Sequence, residues 1–192
     1  MILTKLALEN GHEVIAFVRS PDKINFKNEH LNIIKGSILN ESEVTSAIRG
    51  ADAVISCLGG DENKKSTILT DMTKVIVNSM KAANVSRIAY IATAGIHNEM
   101  PGLLTKMIIS LLYKNVINDH KGAVNSIISN DLEYTIARPL SLTDGELTKV
   151  YRETPSGIPK GGRNISRSDV ADFLLYAVEN DKNIKESIGL AY

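Results

Sequence analysis

The chain has no tryptophan, a single cysteine and no net charge, and each lack removes a class of explanation. With Cys57 alone, neither an internal disulfide nor a cysteine-based metal site can form. Lys plus Arg and Asp plus Glu both number 22. No global basic field therefore argues for nucleic acid, and no polybasic block argues for an anionic membrane. No apolar run is long enough to span a bilayer. The longest, residues 107–113, is broken by Ser110 and followed by Lys114, and reads as a partly buried or lid helix. The opening MILTKLALEN is too short for a signal peptide, contains Glu9 and lacks a small-residue cleavage site. The histidines at 12, 30, 97 and 120 have no metal-like spacing. A cytoplasmic protein without a metal site is the expectation that remains.

What is present is a regular alternation. The 192 residues fit one domain with a sizeable core. Residues 1–10 read as a helix stopped by Gly11. EVIAFV (13–18), NIIKG (32–36), AVIS (53–56), RIAYIAT (87–93), EYTIARP (133–139) and the tail IGLAY read as strands, AVIS as a buried one. Asn40 with Glu43 resembles a helix-capping pair ahead of Val44, Ala47 and Ile48. From Ser66 to Ala83, apolar residues form one helical stripe. Residues 102–113 and 118–129 read as helices, and Ser166 with Asp169 caps a last one. Apolar strands separated by helices predict a doubly wound, mainly parallel α/β sheet covered on both faces. The Gly-, Pro- and Thr-rich stretch 140–164 is too short for its own core and reads as a substrate-side excursion.

Ligands of open parallel sheets bind outside the carboxyl ends of the strands. The informative residues are therefore Arg19 and Ser20, Ser37 and Ile38, Cys57 to Gly60, Thr93 to Gly95, and Pro139 to Leu142.

These junctions lie in GHEVIAFVRSPDK (11–23), IIKGSILN (33–40), IRGADAVISCLGG (48–60), RIAYIATAGI (87–96), LEYTIARP (132–139) and ISRSDVADFLL (165–175). In that order they resemble the atypical short-chain dehydrogenase/reductases. Within these they are most similar to the NmrA-like NAD(P)H-binding group that includes flavin/biliverdin reductase. NDHK (118–121) and RPLSLTDGELTKVY (138–151) add to the likeness with that branch. The resemblance implies a Rossmann-like domain, NADP(H) as cofactor and a small-molecule substrate.

The resemblance also implies roles. Arg19 follows the second strand of the usual fold, where an arginine fork suits a ribose 2′-phosphate and an acidic residue would favour NAD. Ser20 and Lys23 add a hydroxyl and a second cation. Ser37 stands where the family has an aspartate contacting adenine, beside Ile38; a serine keeps a hydrogen bond but no charge. Cys57, Leu58, Gly59 and Gly60 line the adenosine and pyrophosphate. Cys57 itself reads as a packed small hydrophobe rather than a nucleophile. Thr93 ends a strand that presents a catalytic serine in ordinary members; its hydroxyl suits a substrate carbonyl or the nicotinamide amide, and Ala94, Gly95, Pro139 and Leu140 are further cofactor contacts. The usual Tyr-x-x-x-Lys is missing: Tyr113 is followed by Lys114, and position 117 is Ile. Tyr113 remains a formal alternative donor but reads as a helix packing residue, and His120, next to Lys121, is the best titratable candidate for proton transfer. His97 is a weaker one.

The fingerprint G-x-G-x-x-G, whose glycines let backbone N–H groups meet a pyrophosphate, occurs nowhere in the chain. Family members read strand, glycine loop, about ten helical residues, then GHEV. Met1 would thus follow the last glycine of an absent first strand and loop, an N-terminal truncation. A central strand carries side chains worth ~1.5–3 kcal/mol each, and its loss leaves two edges unpaired. Either EVIAFV moves to pair with AVIS, or another chain supplies a strand, or the domain is unstable alone. Three functions stay open: an NADPH-dependent oxidoreductase acting on a flavin or tetrapyrrole-like acceptor, a non-catalytic NAD(P) sensor, and a chain that binds no dinucleotide.

Overall fold

The computed structural model describes residues 1–60, 67–97 and 113–192. Most of the expected 102–113 helix lies outside the described residues, as does Ser66. Helix α1 (Ile2–Glu9) stops at Gly11, whose φ of 86° is left-handed geometry that glycine adopts without a Cβ clash. Strand β1 (Val14–Val18) follows and pairs in parallel with β2 (Leu31–Lys35). Helix α2 (Glu41–Ile48) starts on the expected capping pair. Asn40 accepts from the Glu43 N–H at 3.4 Å and donates its amide to the Glu43 carboxylate at 2.7 Å. The alternation continues through β3 (Ala53–Ser56), α3 (Ile68–Ala83), β4 (Arg87–Ile91), α4 (Lys114–Ile128) and β5 (Glu133–Pro139). Helix α5 (Arg167–Glu179) starts on Ser166, whose hydroxyl accepts from the Asp169 N–H at 2.9 Å, and β9 (Glu186–Ala191) ends the fold.

The excursion carries three short strands that the sequence pattern does not reveal: β6 (Ser141–Thr143), β7 (Arg152–Thr154) and β8 (Asn164–Ser166). Three residues are too few for a period to show. β6 and β8 pair in parallel, while β7 adds antiparallel to β9 at the edge of the main sheet.

The main sheet runs β3-β4-β5-β9-β7, and β3, β4, β5 and β9 are parallel. Its faces alternate with the strand period of two. Ile88, Tyr90 and Ile136 join one core with α2, α3 and α4. Ala89, Ala137, Ile188 and Leu190 join the other with α5. This is the expected doubly wound, Rossmann-like arrangement. At the amino ends of the strands, buried Arg87 donates to the carbonyls of Glu133 and Ala177 at 2.8 and 2.6 Å, a staple between sheet and helix.

Two expectations change. β1 does not move onto β3: among the described residues, β1 and β2 form a separate pair. And AVIS is not a fully buried strand. Only Ser56 is buried, because β3 has a partner on one side alone, whereas β4, flanked on both sides, is buried from Arg87 to Tyr90.

Helices α3 and α4 approach closely at Gly122, where a Cβ would stand 2.3 Å from the Thr70 hydroxyl. That hydroxyl donates to the Asp119 carboxylate at 2.7 Å, so it cannot turn aside freely. Gly122→Ala is therefore expected to destabilise by about 1–3 kcal/mol, despite the helix propensity of alanine. The check is the urea midpoint, and an unchanged or raised midpoint would contradict the close approach.

Candidate functional site

Parallel pairing brings the carboxyl ends of the strands to one end of the sheet, and backbone bonds join several expected site residues there. The Ala92 N–H donates to the Ala137 carbonyl at 2.8 Å and the Ala94 N–H to Pro139 at 3.1 Å. The Leu140 N–H then donates to Leu190 at 3.2 Å. Thr93, Ala94, Gly95, Pro139 and Leu140 thus form one continuous floor. Gly95 has a φ of 95°, which turns the chain off β4. Pro139 and Gly95 are buried, and Thr93 is half-buried.

Cys57, Leu58, Gly59 and Gly60 leave β3 beside this floor. Cys57 is exposed rather than packed. It nevertheless stands among crowding protein atoms, and that desolvation pushes its thiol up to about 11, against the opposing pull of the Met1 ammonium. The raised value favours the thiol over the thiolate at neutral pH. The pull of Met1 also shows that the start of α1 is close to the end of β3. Around Gly59 an added Cβ would meet open space, while at Gly60 it would press on Leu69 at 3.1 Å.

Past β1, Arg19 and Lys23 are exposed and Ser20 is half-buried. Neither cation has an ion-pair partner among the described residues, so both have their donors free for an anion such as a phosphate. Ser37 is more committed. Its N–H donates to Glu43 at 3.0 Å and its hydroxyl accepts from the Leu39 N–H at 3.4 Å, the pattern of a turn serine. Ile38 packs against the core.

His120 arrives from α4. Its neighbour Asp119 is buried and caps α3 from the helix packed beside it, accepting from the N–H groups of Leu69 and Thr70 at 3.0 and 2.9 Å. α3 begins at the carboxyl end of β3, so this cap holds His120 at the same end of the sheet. His120 Nδ1 is buried without a hydrogen-bond partner among the described residues. Burial holds the ring below its ordinary value of 6.5, against the Asp119 charge, so it is neutral at pH 7. Tyr113, expected to pack in a helix, is instead 51% exposed ahead of α4. His97 is exposed and its ring reaches the Ser187 hydroxyl at 3.3 Å, to which Arg138 also donates at 2.9 Å.

The sequence reading missed the side chain that fixes the excursion. Asp169, read there only as a helix cap, is fully buried. Its carboxylate accepts from the N–H groups of Thr148 and Lys149 and from the Thr148 hydroxyl, each at 2.8 Å, and from the Tyr192 hydroxyl at 2.5 Å. Lys149 has a φ of 56°, which lets both N–H groups converge on one oxygen. Arg167 reaches Asp144 at 2.6 Å and Tyr151 reaches Asp172 at 3.1 Å, so residues 144–151 lie along α5. The signal was in the sequence, since Ser166 and Asp169 have the spacing of a capping box, but its distant partners were not.

Cavities of about 320 Å³ lie elsewhere, one between α3 and α4 lined by Lys74, Asn78 and Asn125, another beside α2. The first does not touch the strand ends; the second includes Ile34 near the end of β2 and Glu43, which accepts from Ser37. Among the described residues no cluster of His, Cys, Asp and Glu is arranged to hold a metal, and no helix is long and apolar enough to cross a membrane.

The model of the NAD(P)H-binding family matches residues 1–181. Solved structures resemble the chain over almost all its length. A Rossmann-fold NAD(P)-binding family protein from Shigella flexneri is 27% identical with a TM-score of 0.74, covering 98% of this chain and 85% of that one. A wide-type short-chain dehydrogenase/reductase from Veillonella parvula, solved in complex with NADP, is 22% identical with a TM-score of 0.78, covering 99% and 88%. ChuY, an anaerobilin reductase from Escherichia coli, is 19% identical with a TM-score of 0.80, covering 99% and 89%.

Two outcomes are expected from this geometry. The His120 ring should titrate in NMR with a midpoint below 6.5; a midpoint at or above that value would contradict its burial. Burial pushes the Asp169 carboxyl up, but the hydrogen bonds from Tyr192, Lys149 and Thr148 outweigh it, and the net displacement is below 3.8. With its folded value depressed, the carboxylate stabilises the fold fully above the unfolded value and loses that effect as pH falls through the lower folded one. Asp169→Asn should accordingly cost about 2–3 kcal/mol at pH 7 and speed proteolysis within 144–151. Equal stability and equal cleavage would refute the role of this carboxylate.

Proposed function

Because the chain belongs to the NAD(P)H-binding family, we propose that it is an NADPH-dependent oxidoreductase that passes hydride to a small conjugated acceptor of flavin or tetrapyrrole type. The observation that carries this reading is the pair of uncommitted cations past the carboxyl end of β1, Arg19 and Lys23, together with the Thr93–Leu140 floor past the carboxyl ends of β4 and β5. Arg19 binds the 2′-phosphate with help from Lys23 and Ser20. Ser37 and Ile38 flank the adenine. Cys57 to Gly60 let the backbone approach the adenosine and pyrophosphate closely. Thr93, Ala94, Gly95, Pro139 and Leu140 form the wall for the nicotinamide, and the Thr93 hydroxyl orients either its amide or the acceptor.

Bound NADPH supplies the hydride. The proton that completes reduction must come from elsewhere, and His120 passes it from solvent: a neutral imidazole donates from one nitrogen and accepts on the other. The segment 144–151, held by Asp169, covers the acceptor side. The name of the anaerobilin reductase supports an acceptor of tetrapyrrole type. The chain is one domain and acts on its small molecule in the cytoplasm, in keeping with its lone cysteine.

A second reading, an NAD(P) sensor without turnover, is favoured by the absent Tyr-x-x-x-Lys and by the outward position of Tyr113. A panel of flavins and linear tetrapyrroles separates the two, since turnover of NADPH with any of them excludes the sensor. Arg19→Ala is expected to raise KM for NADPH about 10- to 100-fold, the worth of charge-assisted hydrogen bonds, and to leave KM for NADH nearly unchanged. Parallel changes for both cofactors would reject the Arg19 assignment.

A further inference from the structure

Glu43 lies in the first turn of α2, yet its carboxylate stands back at the carboxyl end of β2. Oε2 accepts from the Ser37 N–H at 3.0 Å, and Oε1 accepts from the Asn40 amide at 2.7 Å. Gly36 makes room for this. A Cβ at that position would lie 2.7 Å from Glu43 Oε2 and 2.3 Å from the Phe17 ring, so a larger residue would push the carboxylate off the strand end. The Gly36 N–H donates to the Val18 carbonyl at 3.1 Å, which sets the end of β2 beside the end of β1.

What this corner can offer a ligand follows from what it has already used. The Ser37 N–H is spent on Glu43, and the Ser37 hydroxyl accepts from Leu39. The next N–H, that of Ile38, makes no hydrogen bond among the described residues. Glu43 is exposed. Each of its oxygens accepts one bond among the described residues and has a second lone pair to give. The corner therefore holds an acceptor fixed by two bonds and, one residue past its backbone anchor, an unused donor.

We propose that Glu43 reads the base of the dinucleotide and selects adenine, its carboxylate accepting from the N6 amino group while the Ile38 N–H donates to N1. The inference rests on the dinucleotide reading, which puts Ser37 and Ile38 beside the base, and adds to it the residue that tells one purine from another. Adenine presents a donor at N6 next to an acceptor at N1. A 6-oxo purine such as hypoxanthine presents the reverse, an acceptor at O6 and an N1–H. A carboxylate is acceptor-only and a backbone N–H donor-only. Neither can turn to suit the reversed edge, so a 6-oxo base sets lone pairs against lone pairs and N–H against N–H. Sites built on such pairs reject the analogue that lacks the matching group. Arg19 contacts the phosphate and not the base, so its role is independent of this one.

The test is equilibrium binding to the full chain by calorimetry, with no acceptor and no turnover. The probes are NADPH and its deamino counterpart, in which hypoxanthine replaces adenine and nothing else changes. The wild-type chain is expected to bind NADPH at least ~10-fold more tightly than the deamino form, the worth of one hydrogen bond to a charged group. Glu43→Gln keeps the size of the side chain, but its amide can turn either oxygen or nitrogen to the base. It is expected to bring the ratio to about 2-fold or less. Loss of the α2 cap alone would weaken both nucleotides alike and leave the ratio intact, as Arg19→Ala should. A wild-type ratio near one, or a ratio unchanged in Glu43→Gln, would overturn the proposal and leave the dinucleotide reading in place. Binding of neither nucleotide by the folded wild-type chain would overturn that reading and this inference with it.

Discussion

Parallel alignment of the strands is the constraint from which the rest of this structure follows. Parallel neighbours cannot be joined by a tight turn, so each connection must cross a face of the sheet, and helices are the connections that satisfy their own backbone on the way. Both faces are then covered, which is why β4 and β5 are apolar on both sides. The carboxyl ends of β3, β4, β5 and β9 also arrive together. Cys57, Thr93 and Pro139 are far apart in the chain, yet they share one end of the sheet because each follows a strand of the same direction.

That end is kept in shape by carboxylates serving as internal anions. Asp119 fills the N-terminus of α3 from a different helix, and Asp169 gathers two backbone N–H groups and a tyrosine hydroxyl around the start of α5. Each ties together parts distant in the chain: α4 to the start of α3, and residues 144–151 to the start of α5. The opposite end, by contrast, is closed by Arg87, a buried cation that satisfies carbonyls. The sheet thus has one end closed by a cation and another where carboxylates anchor the helices.

How much of this could be read from the sequence depended on the range of the interaction. The Asn40–Glu43 and Ser166–Asp169 caps were legible because both partners lie within one turn. The Gly11 stop and the stripe along α3 were legible for the same reason. The burial of AVIS was misjudged because it depends on what pairs beside β3, which no local pattern encodes. Asp119 acts on residues 50 positions away, and Thr148 finds Asp169 only once the excursion has folded back. Tyr113 looked like a packing residue by composition alone. The family assignment, carried by short junctions in order along the chain, needed none of these long-range details, and the family match over residues 1–181 bears it out.

The split sheet and the dinucleotide reading meet at β3, whose free edge faces no partner among the described residues and whose end leads into Cys57 to Gly60. Whether the strand ends, as they stand, form a working site is therefore the question on which the account turns. Isothermal titration of the 192-residue chain with NADPH asks it directly. The account predicts saturable heat from one NADPH per chain at micromolar concentration. No heat up to millimolar NADPH, from a chain that is folded by circular dichroism, would contradict it.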